Sequence, residues 1–127
     1  MMELIPEVKK EMNNFFEIAL KSGFWTSAGK NPFWINVVGD QVFWLGMNSK
    51  SEENDLGENW CHVGYGKITG NKIILNWSDI PVGKDRLNGT ITIEIINETK
   101  MTVVDDSGDF GKSEWMWKSD SQNFSEL

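Results

Sequence analysis

Residues 59–81 read NWCHVGYGKITGNKIILNWSDIP, and the middle of this stretch constrains the fold more than any other part of the chain. Ile68-Thr69-Gly70-Asn71-Lys72-Ile73 has the form of two strands joined by a two-residue turn. Gly70 and Asn71 tolerate the positive φ that tight hairpins require. Beyond the turn, Ile73, Leu75 and Trp77 share one face while Lys72, Asn76 and Ser78 share the other, with Ile74 the exception. That alternation marks a strand with one buried face. Pro81 ends it, because proline cannot donate to a sheet ladder.

The rest of the chain from Phe24 onward repeats this pattern. Eight strands are expected, over 23–28, 33–38, 42–48, 59–67, 71–78, 88–96, 100–106 and 113–119. Most connections are short and turn-like: Gly39-Asp40, Gly70-Asn71, Asn97-Glu98-Thr99 and 107–111. Two are longer, 49–58 and 79–88. Sequential strands with short hairpins form a meander, and eight strands close into a small barrel wide enough for one ligand. The expected fold is therefore mainly β, an eight-stranded up-and-down antiparallel barrel over 23–119 with a short tail at 120–127. No second domain, linker or repeat interrupts the 127 residues. Ile91, Ile93 and Ile95 alternate with Thr90, Thr92 and Glu94 as one buried face requires. The strand at 42–47 differs: Val42, Phe43, Trp44, Leu45 and Met47 are apolar on both parities, so it needs a cover outside the barrel as well as a core within.

One amphipathic helix is expected before the barrel, over 3–21. Leu4, Ile5, Val8, Met12, Phe15, Phe16, Ala19 and Leu20 recur at spacings of three and four. Pro6 suits a first turn, and Gly23 a C-terminal stop. This stripe either binds a partner or membrane surface or packs on the barrel; a polar face that is not predominantly basic favours packing. A homodimer through the helix or through strand 42–47 is the competing cover. The formal net charge of −7 and the single arginine, Arg86, argue against a nucleic-acid partner. No apolar run approaches a membrane span, and MMELIPEVKKEMNN lacks the basic start and apolar core of a secretory signal. The lone Cys61 excludes an internal disulfide and fits a reducing compartment, so a cytoplasmic location is expected.

Three segments carry a resemblance. Trp77-Ser78-Asp79-Ile80-Pro81-Val82-Gly83 has the form W-x-D-[VI]-P-x-G, Phe110-Gly111-Lys112-Ser113-Glu114-Trp115 has the form F-G-x-x-x-W, and Val42-Phe43-Trp44-Leu45-Gly46-Met47 has the form V-x-W-x-G-M. Over about 23–118 the chain resembles a group of small bacterial calycin-like barrel domains. That resemblance implies the architecture shared by lipocalins and avidins and carries no known activity. Nothing here corresponds position by position to a biotin site, and near the first strand the usual lipocalin Gly-x-Trp is represented only by Ser22-Gly23-Phe24-Trp25.

The candidate chemistry is sparse. His62, the only histidine, excludes a multi-histidine metal cluster within one chain. It reads as a heme ligand or, more plainly, as a hydrogen-bonded strand histidine. Cys61 and His62 are adjacent on a strand and point to opposite faces, which is a poor nucleophile–base pair. The acidic groups Glu52, Glu53, Asp55, Glu58 and Asp105, Asp106, Asp109 would serve glycoside or calcium chemistry if they converged; as turn residues they are simply solvated. No metal, cofactor or catalytic residue is expected. The seven tryptophans either fill the barrel or line a cavity. Gly46, Gly64 and Gly66, unusual within strands, mark bends or room for a ring.

The expected function is a non-catalytic barrel binding a small apolar or aromatic ligand. Trp44, Trp60, Trp77 and Trp115 would hold the ligand, and Tyr65, Asn36 and Asn76 would orient it. The alternatives are an interaction module that uses the helix and the outer apolar face of a filled barrel, and an enzyme that uses Asp79 or the 105–109 acids.

Overall fold

A computed structural model describes residues 19–127. Eight strands follow one another: β1 (Gly23–Ser27), β2 (Pro32–Val38), β3 (Gln41–Met47), β4 (Cys61–Thr69), β5 (Lys72–Asp79), β6 (Asn88–Asn97), β7 (Lys100–Asp106) and β8 (Glu114–Ser119). Each pairs antiparallel with the next, and β8 returns to β1 to close the barrel. The expected hairpin forms with Ile68 opposite Ile73 and Thr69 opposite Lys72. Gly70, at φ +62°, takes the first turn position, where an L side chain would be strained.

Most strand ends match the expected spans to within two residues. The start of β4 moves from 59 to Cys61 for an identifiable reason. The N–H groups of Asn59 and Trp60 donate to Asn48 Oδ1, at 2.8 and 3.1 Å, and not to a neighbouring strand. The helix expected over 3–21 falls outside the described residues except for its last three positions, and 19–22 carry no helix. Leu20 there is buried in the core, and the Lys21 N–H donates to Glu98 O in the β6–β7 turn.

An up-and-down order sorts the connections by end. The two-residue turns at 39–40, 70–71 and 98–99 all lie at one rim. The longer loops 28–31, 48–60, 80–87 and 107–113 all lie at the other. Near the turn rim the interior is filled by Leu20, Trp25, Ile35, Val42, Ile73, Ile93, Ile95 and Met101. Toward the loop rim the inward positions change to large rings.

The outer face of β2 and β3 is apolar, as the two-sided pattern of strand 42–47 requires. The tail covers part of it. Trp34 packs on Phe24 and on Phe124, at 5.5 and 4.8 Å between ring centroids, and its Nε1 donates to Gln122 O. A single 3₁₀ turn at Phe124–Glu126 presents that phenylalanine. No helix among the described residues is long and apolar enough to cross a membrane.

Candidate functional site

Strand parity sends Phe33, Trp44, His62, Trp77 and Trp115 into the loop half of the barrel. Two of the unusual strand glycines make this crowding possible. A β-carbon at Gly64 would come 2.5 Å from Trp44 Nε1 and 2.8 Å from Leu75 Cδ2. One at Gly46 would collide with the Phe33 ring and lie 2.9 Å from His62 Nε2. At Gly66 the obstacle is the Ile74 backbone, so that position answers to strand approach and not to a ring.

The rings form one cluster. Phe33 lies 5.3 Å from Trp44 and 5.6 Å from Trp115, both near edge-on. His62 stacks on Trp60 at 5.0 Å with 13° between planes, and it lies 5.6 Å from Trp77. Phe110, from loop 107–113, reaches in to 5.3 Å from His62, 5.1 Å from Trp77 and 5.9 Å from Trp115. Above this cluster a pocket of about 240 Å³ opens toward the loop rim. Its walls are Phe33, Trp60, His62, Trp77 and Phe110. Ser27, Asn31, Asp79, Asp85, Leu87, Asp109 and Ser113 complete the lining.

The loops that carry this lining are held by hydrogen bonds. Asn48 is buried and satisfied on both ends: Nδ2 donates to Ser49 O and Asp55 O, while Oδ1 accepts from Asn59 and Trp60. It thereby fixes where Trp60 enters the barrel. The W-x-D-[VI]-P-x-G segment does the same from the other side. Asp79 Oδ2 accepts the Leu87 N–H at 2.8 Å, and the Lys84 and Asp85 N–H groups donate to Asn59 O. Gly83 sits so close that a β-carbon would lie 2.6 Å from the Trp60 backbone. In F-G-x-x-x-W, Phe110 enters the pocket, Gly111 turns at φ +94° and Trp115 is core.

Asp106 organises loop 107–113. Burial pushes its carboxyl up, but N–H bonds from Gly108, Gly111 and Phe110 outweigh that and hold it below the ordinary aspartate value. Asp106→Ala is expected to speed amide exchange across 108–111 while leaving exchange in β4 and β5 unchanged; equal rates in both proteins would show that the carboxylate does not hold the loop.

Four nitrogens in the cluster stand out. Trp44 Nε1, Trp77 Nε1, Trp115 Nε1 and His62 Nε2 are buried with no hydrogen-bond partner among the described residues. Such a group costs about 1–3 kcal/mol, and the face of a neighbouring ring offsets only part of that. His62 is 3% exposed, and burial lowers its pKa from 6.5 to about 4, so the imidazole is neutral near pH 7. A plain strand histidine would have a partner; at Nε2 this one has none among the described residues.

The four tryptophans expected to hold a ligand come together. Trp60 and Trp77 line the pocket, while Trp44 and Trp115 lie beside it against Phe33 and Phe110. The three polar residues expected to orient the ligand are not there. Asn36, Tyr65 and Asn76 are out of phase with the inward Ile35, Gly64 and Trp77, so each is exposed on the outer face. Tyr65 packs on Phe43 at 5.1 Å, and Asn76 Oδ1 accepts from Thr90 Oγ1. The polar lining comes instead from Ser27, Asn31, Ser113, His62, and the aspartates at 79, 85 and 109. His62 was legible by parity, while Asp79 lay one residue past the expected strand 71–78. The loop residues had no periodic signal to place them.

Cys61 faces away from His62, and burial, with the nearby Asp79 charge, raises its thiol pKa, which suppresses the thiolate. Asp109 lines the pocket while Asp105 and Asp106 do not. Among the described residues no three His, Cys, Asp or Glu side chains converge as metal ligands. No protein-family model matches the chain, and neither a curated protein nor a solved structure matches it.

Proposed function

We propose that this chain is a non-catalytic binding barrel that takes one small ring-bearing molecule into its loop end. The observation that carries the reading is an aromatic-walled pocket two of whose lining residues, Trp77 and His62, each hold a buried ring nitrogen with no partner among the described residues. Aromatic walls supply area, and a few placed polar groups supply orientation. At about 240 Å³ the pocket suits a single ring with a short substituent, not a long lipid chain. An acceptor atom on the ligand would satisfy the Trp77 N–H, a gain available only in the complex.

The test is a fluorescence titration with a panel of small aromatic and heteroaromatic compounds. A saturable change in tryptophan emission is expected. Trp77→Phe, which keeps a ring and deletes the N–H, should weaken binding by about tenfold. A flat response across the panel would sink the reading.

One observation favours the interaction module as a second reading. An outward groove of about 580 Å³ runs between the tail and β2–β4, lined by Trp34, Phe43, Leu45, Val63 and Gln122. Phe43→Glu would disrupt a partner seated there and leave the loop-end pocket intact.

A further inference from the structure

The charges around the pocket are all of one sign. Asp79 ends β5, Asp85 lies in loop 80–87 and Asp109 in loop 107–113, and all three line the mouth; among the described residues no Lys or Arg lines it. The basic residues of these two loops do not offset them. Lys84 and Lys112 are exposed and outside the lining, and the Arg86 guanidinium turns back to donate to Gly83 O and Asp85 O. No ion pair involves Asp79, Asp85 or Asp109 among the described residues. Acidic residues alone would only mark a hydrated rim. Here they surround a pocket whose wall includes His62, which is 97% buried by its 3% exposure and has no partner at Nε2 among the described residues.

Resting on the binding reading above, we infer that the ligand is a small organic cation. Its ammonium group sits at the mouth among Asp79, Asp85 and Asp109, its ring lies against Trp60 and Phe110 above His62, and an uncharged polar atom at its far end points toward Trp77 and His62. Each part has a physical reason. Ring faces carry negative potential, so a cation gains over Trp and Phe as well as from the carboxylates. The partly desolvated mouth strengthens both attractions relative to open water. An anion would meet three carboxylates and no counter-charge. The overall charge of −7 adds a long-range field that draws cations in. The deep end has the opposite requirement: an indole N–H is a donor only and needs an acceptor, which a second ammonium cannot supply, so the far end of the ligand is an uncharged acceptor.

Three probes of one shape separate charge from fit: tyramine, para-ethylphenol and para-hydroxyphenylpropionate, titrated into the full chain by calorimetry at low salt. Tyramine is expected to bind about tenfold more tightly than the neutral phenol, with the anion weakest. Added salt should erode that preference. Asp79→Asn combined with Asp85→Asn should cut it severalfold, leaving what Asp109 and the ring faces supply, with the asparagine oxygen still able to accept the Leu87 N–H. Equal binding of the cation and the neutral phenol, or tighter binding of the anion, would overturn the charge inference and leave the binding barrel standing. Silence from all three probes would also overturn it, and the wider aromatic panel would then decide the binding reading separately.

Discussion

Trp115→Ala is expected to cost about 3–5 kcal/mol, enough to lower the melting temperature by on the order of 15 °C or more. Trp115 is fully buried, and its ring packs against Phe33, Trp44 and Phe110. Its position magnifies the effect. β8 closes the barrel, yet its pairing with β7 spans only Lys100–Thr102 against Glu114–Met116. The inward ring at 115, opposite Met101 and Ser27, therefore carries much of the closure. Trp115→Phe separates the two contributions of the indole. It keeps most of the apolar contact and deletes an N–H that has no partner among the described residues, so it should fall within about 1 kcal/mol of the parent. Thermal melts followed by circular dichroism measure both. A phenylalanine variant as unstable as the alanine variant would mean that the indole N–H is bonded after all.

What the sequence made legible follows from how strands encode position. Period-two alternation depends on local residue identity alone, so Ile73, Leu75 and Trp77 could be placed inside without knowing their neighbours. The same rule, applied at 36, 65 and 76, puts those side chains outside. Choosing Asn36, Tyr65 and Asn76 for their hydrogen-bonding chemistry ignored the parity of Ile35, Gly64 and Trp77 beside them. Loops have no such rule. Phe110 enters the pocket because Asp106 gathers three N–H groups and Gly111 turns at positive φ, an arrangement that no periodicity announces. Asp85 and Asp109 join one pocket only because an up-and-down barrel gathers alternate loops at one rim. That is a consequence of topology, available once the strand count is known, but the exact approach of each loop depends on bonds such as Asn48 to Trp60. Burial without a partner is further still from the sequence: His62 could be seen to face inward, and nothing in the letters shows what meets its Nε2.

That histidine yields the second large effect. Its pKa in the folded chain is about 4 against 6.5 in the unfolded one, and burial is the cause. Between these values the unfolded state binds a proton that the native state does not, so stability rises with pH across the window and falls on acidification. The full difference is about 3 kcal/mol, present above pH 6.5 and lost as pH drops toward 4. The groups packed on the imidazole are Phe33, Trp44, Trp60, Trp77 and Phe110, none of which titrates. Asp79 is its register partner across β4–β5, with Oδ2 accepting the Leu87 N–H, and Asp85 and Asp109 share the pocket lining with it. His62→Phe should therefore cost little at pH 7, where a ring replaces a neutral ring and a partnerless nitrogen disappears. At pH 4.5 it should make the variant more stable than the parent by about 2–3 kcal/mol. Urea unfolding of both proteins at the two pH values isolates this histidine, because the carboxylate background is common to both and cancels in the difference. Parallel pH profiles would mean that the native imidazole takes up its proton as readily as the unfolded one. It would then be paired or wetted, and the deep end of the pocket would lose the neutral, partnerless nitrogen on which its recognition of an uncharged polar atom rests.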